Sequence, residues 1–365
     1  MTDKRLFKNF DKTLLVVTFL IFIIGLATIH SATQAKDLSF NDSYVLKQIN
    51  SMAIGIILLI IIIKISYQRF IDLSYILYLI NIGLLALVLV LGHVRLGAQR
   101  WFSIGGFAFQ PSEFIKLNLI LALSCYVGTK KDSMKNFTNL IIPCILLAVP
   151  FVLVLLQPDL GTALLLLPIF FSILLVSGVE YKYLIGMLVL GLSAMPVFWH
   201  FLREYQRQRL LVFINPNVDP LGAGYTIIQS KIAVGSGGLF GKGWLAGTQN
   251  QLNFLPERHT DFIFSVIGEE WGYFGAIVVI FLYFFIIQRA LIIASQTSDA
   301  YGRAIATGIA SMLAVQVVIN ISMTIGLMPV VGIPLPMISY GGSSLITTLV
   351  AVGFLLNVGM RRSTF

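Results

Sequence analysis

The stretch TLLVVTFLIFIIGLATIHSAT, residues 13–33, runs for 21 residues without one Asp, Glu, Lys or Arg. A helix rises about 1.5 Å per residue and the hydrocarbon core of a bilayer is about 30 Å thick, so roughly 20 apolar residues cross it. Two readings compete for such a run near an N-terminus. The flanks MTDKRLFKNFDK and SATQAK have the basic start and small-residue end of a signal peptide. That end is a poor A-x-A cleavage site, however, and many similar runs follow, so this one reads as an uncleaved first span.

Outward from it, further apolar runs lie near 49–66, 73–92, 112–128, 138–156, 160–178, 183–202, 266–288, 304–326 and 342–360. Charged residues make up only 11% of the chain and hydrophobic ones 57%, against about 25% charged in a soluble domain. An outer-membrane barrel would instead alternate over segments of about ten residues. The expected fold is therefore all-α: a polytopic integral membrane protein of about ten transmembrane helices. It is read as one domain over 1–365, with one long outer loop at about 203–261 and no appended soluble domain. No internal repeat stands out, which weighs against the inverted-repeat plan of many transporters.

Lys and Arg set the orientation. With both termini in the cytoplasm, the inner segments hold fourteen: Lys4, Arg5, Lys8, Lys12, Lys64, Arg69, Lys130, Lys131, Lys135, Lys182, Arg289, Arg303, Arg361 and Arg362. The short outer loops hold Lys36, Lys47, Arg95 and Arg100, and the long loop six more. The positive-inside rule favours this arrangement. The net charge of +9 is thus explained by topology and lipid headgroups; no basic stripe with interleaved aromatics points to nucleic acid. Cys125 and Cys144 sit inside apolar runs with no metal-ligand spacing, and the four histidines are scattered.

This topology gathers the chain's polar stretches on the outer face. GSGGLFGKG (235–243) fails as a phosphate loop: the Walker pattern needs Gly where Ser236 stands and Ser or Thr where Gly243 stands. QPSEFIK (110–116) reads as a helix start, with Glu113 three residues before Lys116. A cation one turn into a span must pair, snorkel or face a wet cavity, so Lys116 is open to both a structural and a functional reading. Asp159 in QPDLG (157–161) reads by itself as an N-cap. The stretch PVVGIPLPMISYGGSS (329–344) is irregular backbone, tolerated at membrane depth where it is packed or lines a cavity. FLPERHTDFIFSVIGEEWG (254–272) crowds Glu257, Arg258, His259, Asp261, Glu269 and Glu270 into one short segment. If 261–270 is helical, Asp261, Ser265 and Glu269 share a face. A carboxylate at such a half-desolvated mouth can have its pKa shifted toward proton abstraction.

Taken together, RWFSIGGFAFQPSEFIK, QPDLGT, GGLFGKGW, LPERHTDFIFSVIGEEWG and PMISYGGSS, in this order along the whole chain, resemble the SEDS family (shape, elongation, division and sporulation), and most closely its RodA branch. The resemblance implies a peptidoglycan glycosyltransferase that polymerises lipid II outside the cytoplasmic (inner) membrane. It further implies a class B penicillin-binding protein as crosslinking partner, alongside the elongation machinery. It makes Asp261 the catalytic residue and places Lys116 and Asp159 in the same cavity. The donor sugar is α-linked and the product β-1,4-linked, which fits one displacement with a base on the acceptor hydroxyl and cations on the leaving diphosphate. Lys116, Arg100 and Lys242 are the candidate cations; Glu113, Glu257, Arg258 and Ser339 are candidates for shaping the site or binding substrate. No cofactor is required, though Asp159 or Asp261 would suit a divalent cation. The rival readings are a lipid II flippase, which would make no glycan, and an ion-coupled transporter, which would want its charges near the bilayer midplane.

Overall fold

The computed structural model describes residues 9–34, 43–95, 98–104, 107–130, 133–220 and 222–362. Lys4, Arg5, Lys8, Lys36 and Lys131, counted above for orientation, lie outside them. The helices are α1 (Lys12–Thr33), α2 (Tyr44–Lys64), the short α3 (Tyr67–Asp72), α4 (Ser74–Leu91), α5 (Pro111–Thr129), α6 (Ile141–Leu156), α7 (Leu160–Val176) and α8 (Tyr181–Phe201). After them come α9 (Glu204–Ile214), α10 (Ala223–Ser236), α11 (Thr248–Gln251), α12 (Ile263–Gln296), α13 (Ala300–Thr324) and α14 (Gly342–Arg361). Every apolar run read from the sequence is a helix. Eight of these are long and apolar enough to span a membrane. Of the other two, α7 is apolar but only 17 residues long, and α5 carries Glu113 and Lys116. The chain is a polytopic helical membrane protein.

Local chemistry starts several helices. Asp11 accepts from the amide of Leu14 at 3.0 Å, and Asp299 from that of Gly302 at 2.8 Å, each satisfying an otherwise orphaned N–H of a first turn. Pro111 opens α5, where its missing N–H costs nothing. Burial then sorts the bundle: α14 is enclosed on nearly every side, whereas Leu184 is the one buried residue among the described residues of α8. The first span is integral to the core, with Leu14, Ile21, Ile29 and Ala32 fully buried.

Two segments between spans depart from the expectation of plain loops. A three-stranded antiparallel meander is formed by β1 (His93–Arg95), β2 (Ala98–Ile104) and β3 (Phe107–Phe109), with Phe102 opposite Phe109 and Ser103 opposite Ala108. RWFSI and FAF carry the aromatic residues that strands favour, but no strict period of two. The long loop is likewise structured, since α9, α10 and α11 occupy much of it.

The position of that long segment follows from a defect in α12. Gly272 has φ 65° and ψ −160°, which breaks the helix. A break strands backbone groups that must find partners away from water. The glycine-rich run supplies them: Lys242 and Gly243 donate their amides to the carbonyls of Glu269 and Glu270, both at 3.0 Å. The amides of Tyr273 and Phe274 in turn donate to the carbonyls of Gly238 and Leu239 at 3.0 and 3.2 Å. The approach leaves no room for side chains. A Cβ on Gly241 would lie 2.1 Å from the carbonyl oxygen of Glu270, and one on Gly272 would lie 2.3 Å from the nitrogen of Gly241. GSGGLFGKG is thus a backbone partner for a broken helix.

Gly272→Ala should therefore lower the Tm of the purified protein, since its backbone conformation alone costs about 1–3 kcal/mol with a side chain present. Gly83→Ala on α4, where the added methyl meets nothing within 4 Å, should leave Tm unchanged or raise it. The reverse order in a thermal unfolding comparison would sink this account of the break.

Candidate active site

Asp261 lies just before α12. Here the expected shared helix face is corrected: the helix begins at Ile263, with Phe262 as its uncapped N-cap, so Asp261 sits in a turn. Its main chain is held from three directions. Asn320 of α13 donates its amide to the carbonyls of Asp261 at 3.0 Å and Ile333 at 2.7 Å. Ser339 donates its hydroxyl to the carbonyl of Thr260 at 2.6 Å and accepts from the amide of Leu335 at 2.8 Å. Tyr340 donates its amide to the carbonyl of His259 at 2.9 Å. The irregular stretch after α13 therefore runs alongside 259–261, and Gly332, at φ 74°, brings it so close that a Cβ there would meet Asp261 Oδ2 at 3.4 Å. Ser339 acts here as a positioning residue, through backbone.

The carboxylate of Asp261 is treated differently from its peptide: among the described residues nothing donates a hydrogen bond to it. It borders a cavity of about 250 Å³, shared with Tyr205, Gln208 and Arg209 of α9, Thr226 of α10, and Glu257. Burial, and next the neighbouring Glu257, push its pKa up to about 6; Arg209 and Arg100 pull the other way, and Asp159 adds to the rise. Glu257 sits at φ 48°, a left-handed conformation rare for a residue with a side chain.

Asp159 is the opposite case. It caps α7, accepting from the amide and hydroxyl of Thr162 at 3.2 and 3.0 Å. It also accepts from Ser112 Oγ at 3.2 Å and Gln110 Nε2 at 3.4 Å, and lies 3.7 Å from Arg100 Nη1. Arg100 is occupied as well, donating to the carbonyls of Gln157 at 2.9 Å and of Pro158. Tyr205, from the cavity wall, donates its hydroxyl to that same Pro158 carbonyl at 2.9 Å. Ser343 ties the strands to α14, accepting from the amide of Gln110 and donating to the carbonyl of Ala108, both at 3.0 Å. QPSEF, QPDLG, TDFIF and PMISYGGSS thus meet around one site.

The remaining sequence candidates fall elsewhere. Lys116 is paired with Glu113 at 2.8 Å, their side chains 1% and 6% exposed, so the pairing reading is the one realised. Lys242 bridges to Glu269 at 2.8 Å and donates to Thr248 at 2.8 Å, which fastens the long segment before α12 to that helix. Arg258 is buried and donates to the carbonyl of Ala32 at 2.7 Å. Neither Lys242, Arg258 nor Lys116 lines the cavity. The cation that does is Arg209, which the sequence reading passed over. The signal was present in EYQRQRLL (204–211), too charged for a span yet helical in period.

As a metal site the arrangement is a poor match at Asp159, whose two oxygens already accept from N–H and O–H donors. Among the described residues no three His, Cys, Asp or Glu side chains converge. The features that remain are a carboxylate with no donor among the described residues, an arginine and a small cavity at one end of a helical bundle.

Known proteins share this plan. The sequence profile of the FtsW/RodA/SpoVE cell cycle proteins matches residues 11–364. The peptidoglycan glycosyltransferase MrdB of Escherichia coli (strain K12) is 41% identical over 368 residues, covering 99% of this chain and 98% of that protein. A chain from a peptidoglycan synthase complex, described as coordinating polymerization and crosslinking, superposes with a TM-score of 0.82 at 35% identity, over 98% of this chain and 99% of that one. The rod shape determining protein RodA of Thermus thermophilus gives a TM-score of 0.73 at 32% identity, over 97% and 98%. With both sequence and fold matched nearly end to end, the chain belongs to the FtsW/RodA/SpoVE family.

Proposed function

We propose that this chain is a peptidoglycan glycosyltransferase of cell elongation that polymerises lipid II at the outer face of the cytoplasmic membrane, with Asp261 as general base. The observation that carries the proposal is the carboxylate of Asp261, unpartnered at a cavity and with its pKa raised to about 6. In the reaction, an acceptor sugar hydroxyl oxygen bonds to the donor's anomeric carbon as the bond from that carbon to the diphosphate oxygen breaks. The hydroxyl proton passes to Asp261, and the diphosphate leaves with the bonding pair. Displacement from the opposite side inverts the α-linkage to β. The energy resides in the sugar–diphosphate bond, so the reading needs no nucleotide and no cofactor.

A pKa near neutral suits a base, which must be ionised at working pH yet hold a proton during transfer. The outer placement rests on the Lys and Arg asymmetry, with both termini cytoplasmic. The likeness to a synthase-complex chain, together with the resemblance set out above, supports a class B penicillin-binding protein as the crosslinking partner.

Asp261→Asn removes the base at constant shape and should cut polymer yield by about 100-fold or more, read on glycan gels with purified lipid II at matched protein. Near-normal polymer from this variant would remove Asp261 from the mechanism. A wild-type protein that moves lipid II across vesicles and makes no polymer would favour a flippase.

Two pH effects follow from the raised pKa. The ionised base is lost as pH falls through about 6, so wild-type turnover should drop on that limb, whereas an ordinary carboxylate would hold out to about 4. Because the fold disfavours the charged form, stability is reduced above pH 6 and recovered below it. Asp261→Asn should thus be the more stable protein at pH 7.5, and the difference in Tm should shrink below pH 6. A Tm gap independent of pH would contradict the linkage.

A further inference from the structure

We propose that Arg209 is the residue that binds the substrate's diphosphate, gripping its oxygens with the guanidinium fork and holding the leaving group beside Asp261. This rests on the reading of the site as one that displaces a diphosphate, and it goes further by assigning the residue that takes the charge.

The assignment begins with elimination. A diphosphate placed near Asp261, Glu257 and Asp159 meets three carboxylates and needs a cation with free donors. Lys116 is buried against Glu113, and Lys242 is held by Glu269 and Thr248. Arg100 is turned to the carbonyls of Gln157 and Pro158 and to Asp159, and does not line the cavity. Arg207, on the same helix as Arg209, caps the end of α8 by donating to the carbonyls of Trp199 at 3.0 Å and His200 at 2.8 Å.

Arg209 is the cation in the cavity wall. It has five N–H donors, and among the described residues it uses one, from Nη1 to the carbonyl of Val330 at 3.3 Å. Tyr205, Gln208, Arg209 and Val212 line the cavity together, at the i, i+3, i+4, i+7 spacing of one helix face. Arg209 also borders the smaller adjoining cavity with Leu160 and Val331. It therefore stands between Asp261 and the start of α7, where Asp159 sits. Its guanidinium carbon lies 5.7 Å from the ring centroid of Tyr205, a contact that favours a set orientation of the planar group. Tyr205 is in turn anchored on Pro158. A planar fork offers two parallel N–H bonds to adjacent phosphate oxygens, which an ammonium cannot. Arg209 also exerts the largest opposing effect on the raised pKa of Asp261, so it is electrostatically coupled to the base.

The test uses the full-length protein in nanodiscs, with undecaprenyl diphosphate and undecaprenyl monophosphate as probes. Wild type and Asp261→Asn should both prefer the diphosphate by about 10-fold or more, the value of charge-assisted hydrogen bonds to one extra phosphate. Arg209→Gln should lose that preference, and Arg209→Lys, which keeps charge without the fork, should retain part of it. Arg209→Gln should also move the acid limb of turnover to higher pH, which a purely structural role would not do. A folded Arg209→Gln that keeps the full diphosphate preference overturns the proposal, as does a wild type with no such preference. If Arg209→Gln is not monodisperse, Arg209→Lys decides: an undiminished preference in it overturns the fork. Normal polymer from Asp261→Asn would instead strike the general-base reading and leave this binding result standing.

Discussion

The peptide groups freed where α12 breaks at Gly272 constrain the architecture of the end of the bundle that holds Asp261. Two carbonyls and two amides lose their helical partners there, and the backbone of residues 238–243 replaces them. In a chain mostly surrounded by lipid, such groups have few other choices. Once that pairing is made, Lys242 comes within 2.8 Å of Glu269, and the amide of Gln249 donates to the same carboxylate at 3.0 Å. Glu270 receives Ser31 of α1. The chain from 237 to 262 is then tied to α1 and α12 together, and Asp261 enters from a fixed direction.

The site separates rigidity from reactivity. The main chain of Asp261 and its neighbours accepts bonds from Asn320, Ser339 and Tyr340, and among the described residues its carboxylate is left without a donor. Asp159 receives donors on both oxygens. Two carboxylates within electrostatic reach thus have opposite surroundings, one bare of donors among the described residues and one surrounded by them. Holding Asp261 through its backbone also means that Asn320 and Ser339 set its position without occupying its carboxylate.

Much of this was legible in the sequence because the relevant signals are local. Apolar length gives the spans, and Pro, Ser and Asp at helix starts give the caps. The gathering of QPSEF, QPDLG and TDFIF followed from topology alone. Pairing was not legible. Glu269 is eight residues from Asp261 and appeared to share its face, yet it serves Lys242, because the helix starts two residues after Asp261. Lys116, Lys242 and Arg100 are cations in the right motifs, and each is engaged by specific acceptors, Glu113, Glu269, and Asp159 with two carbonyls. Arg209 was overlooked because its helix lies in a segment that composition marks only as a loop. The strands β1 to β3 were missed for a related reason: three short aromatic-rich stretches without alternation are weak evidence until a partner strand is seen.

The backbone pairing at the break has a genetic corollary. Glycine is encoded by GGN, and every single-nucleotide change that alters the residue introduces a side chain or a stop. At Gly241 and Gly272 the space for even one carbon is already filled by main chain. These two codons consequently have no harmless missense neighbours. A population under selection for this protein would keep them through purifying pressure on absent atoms, whereas the lipid-facing surface of α8 could drift among apolar codons.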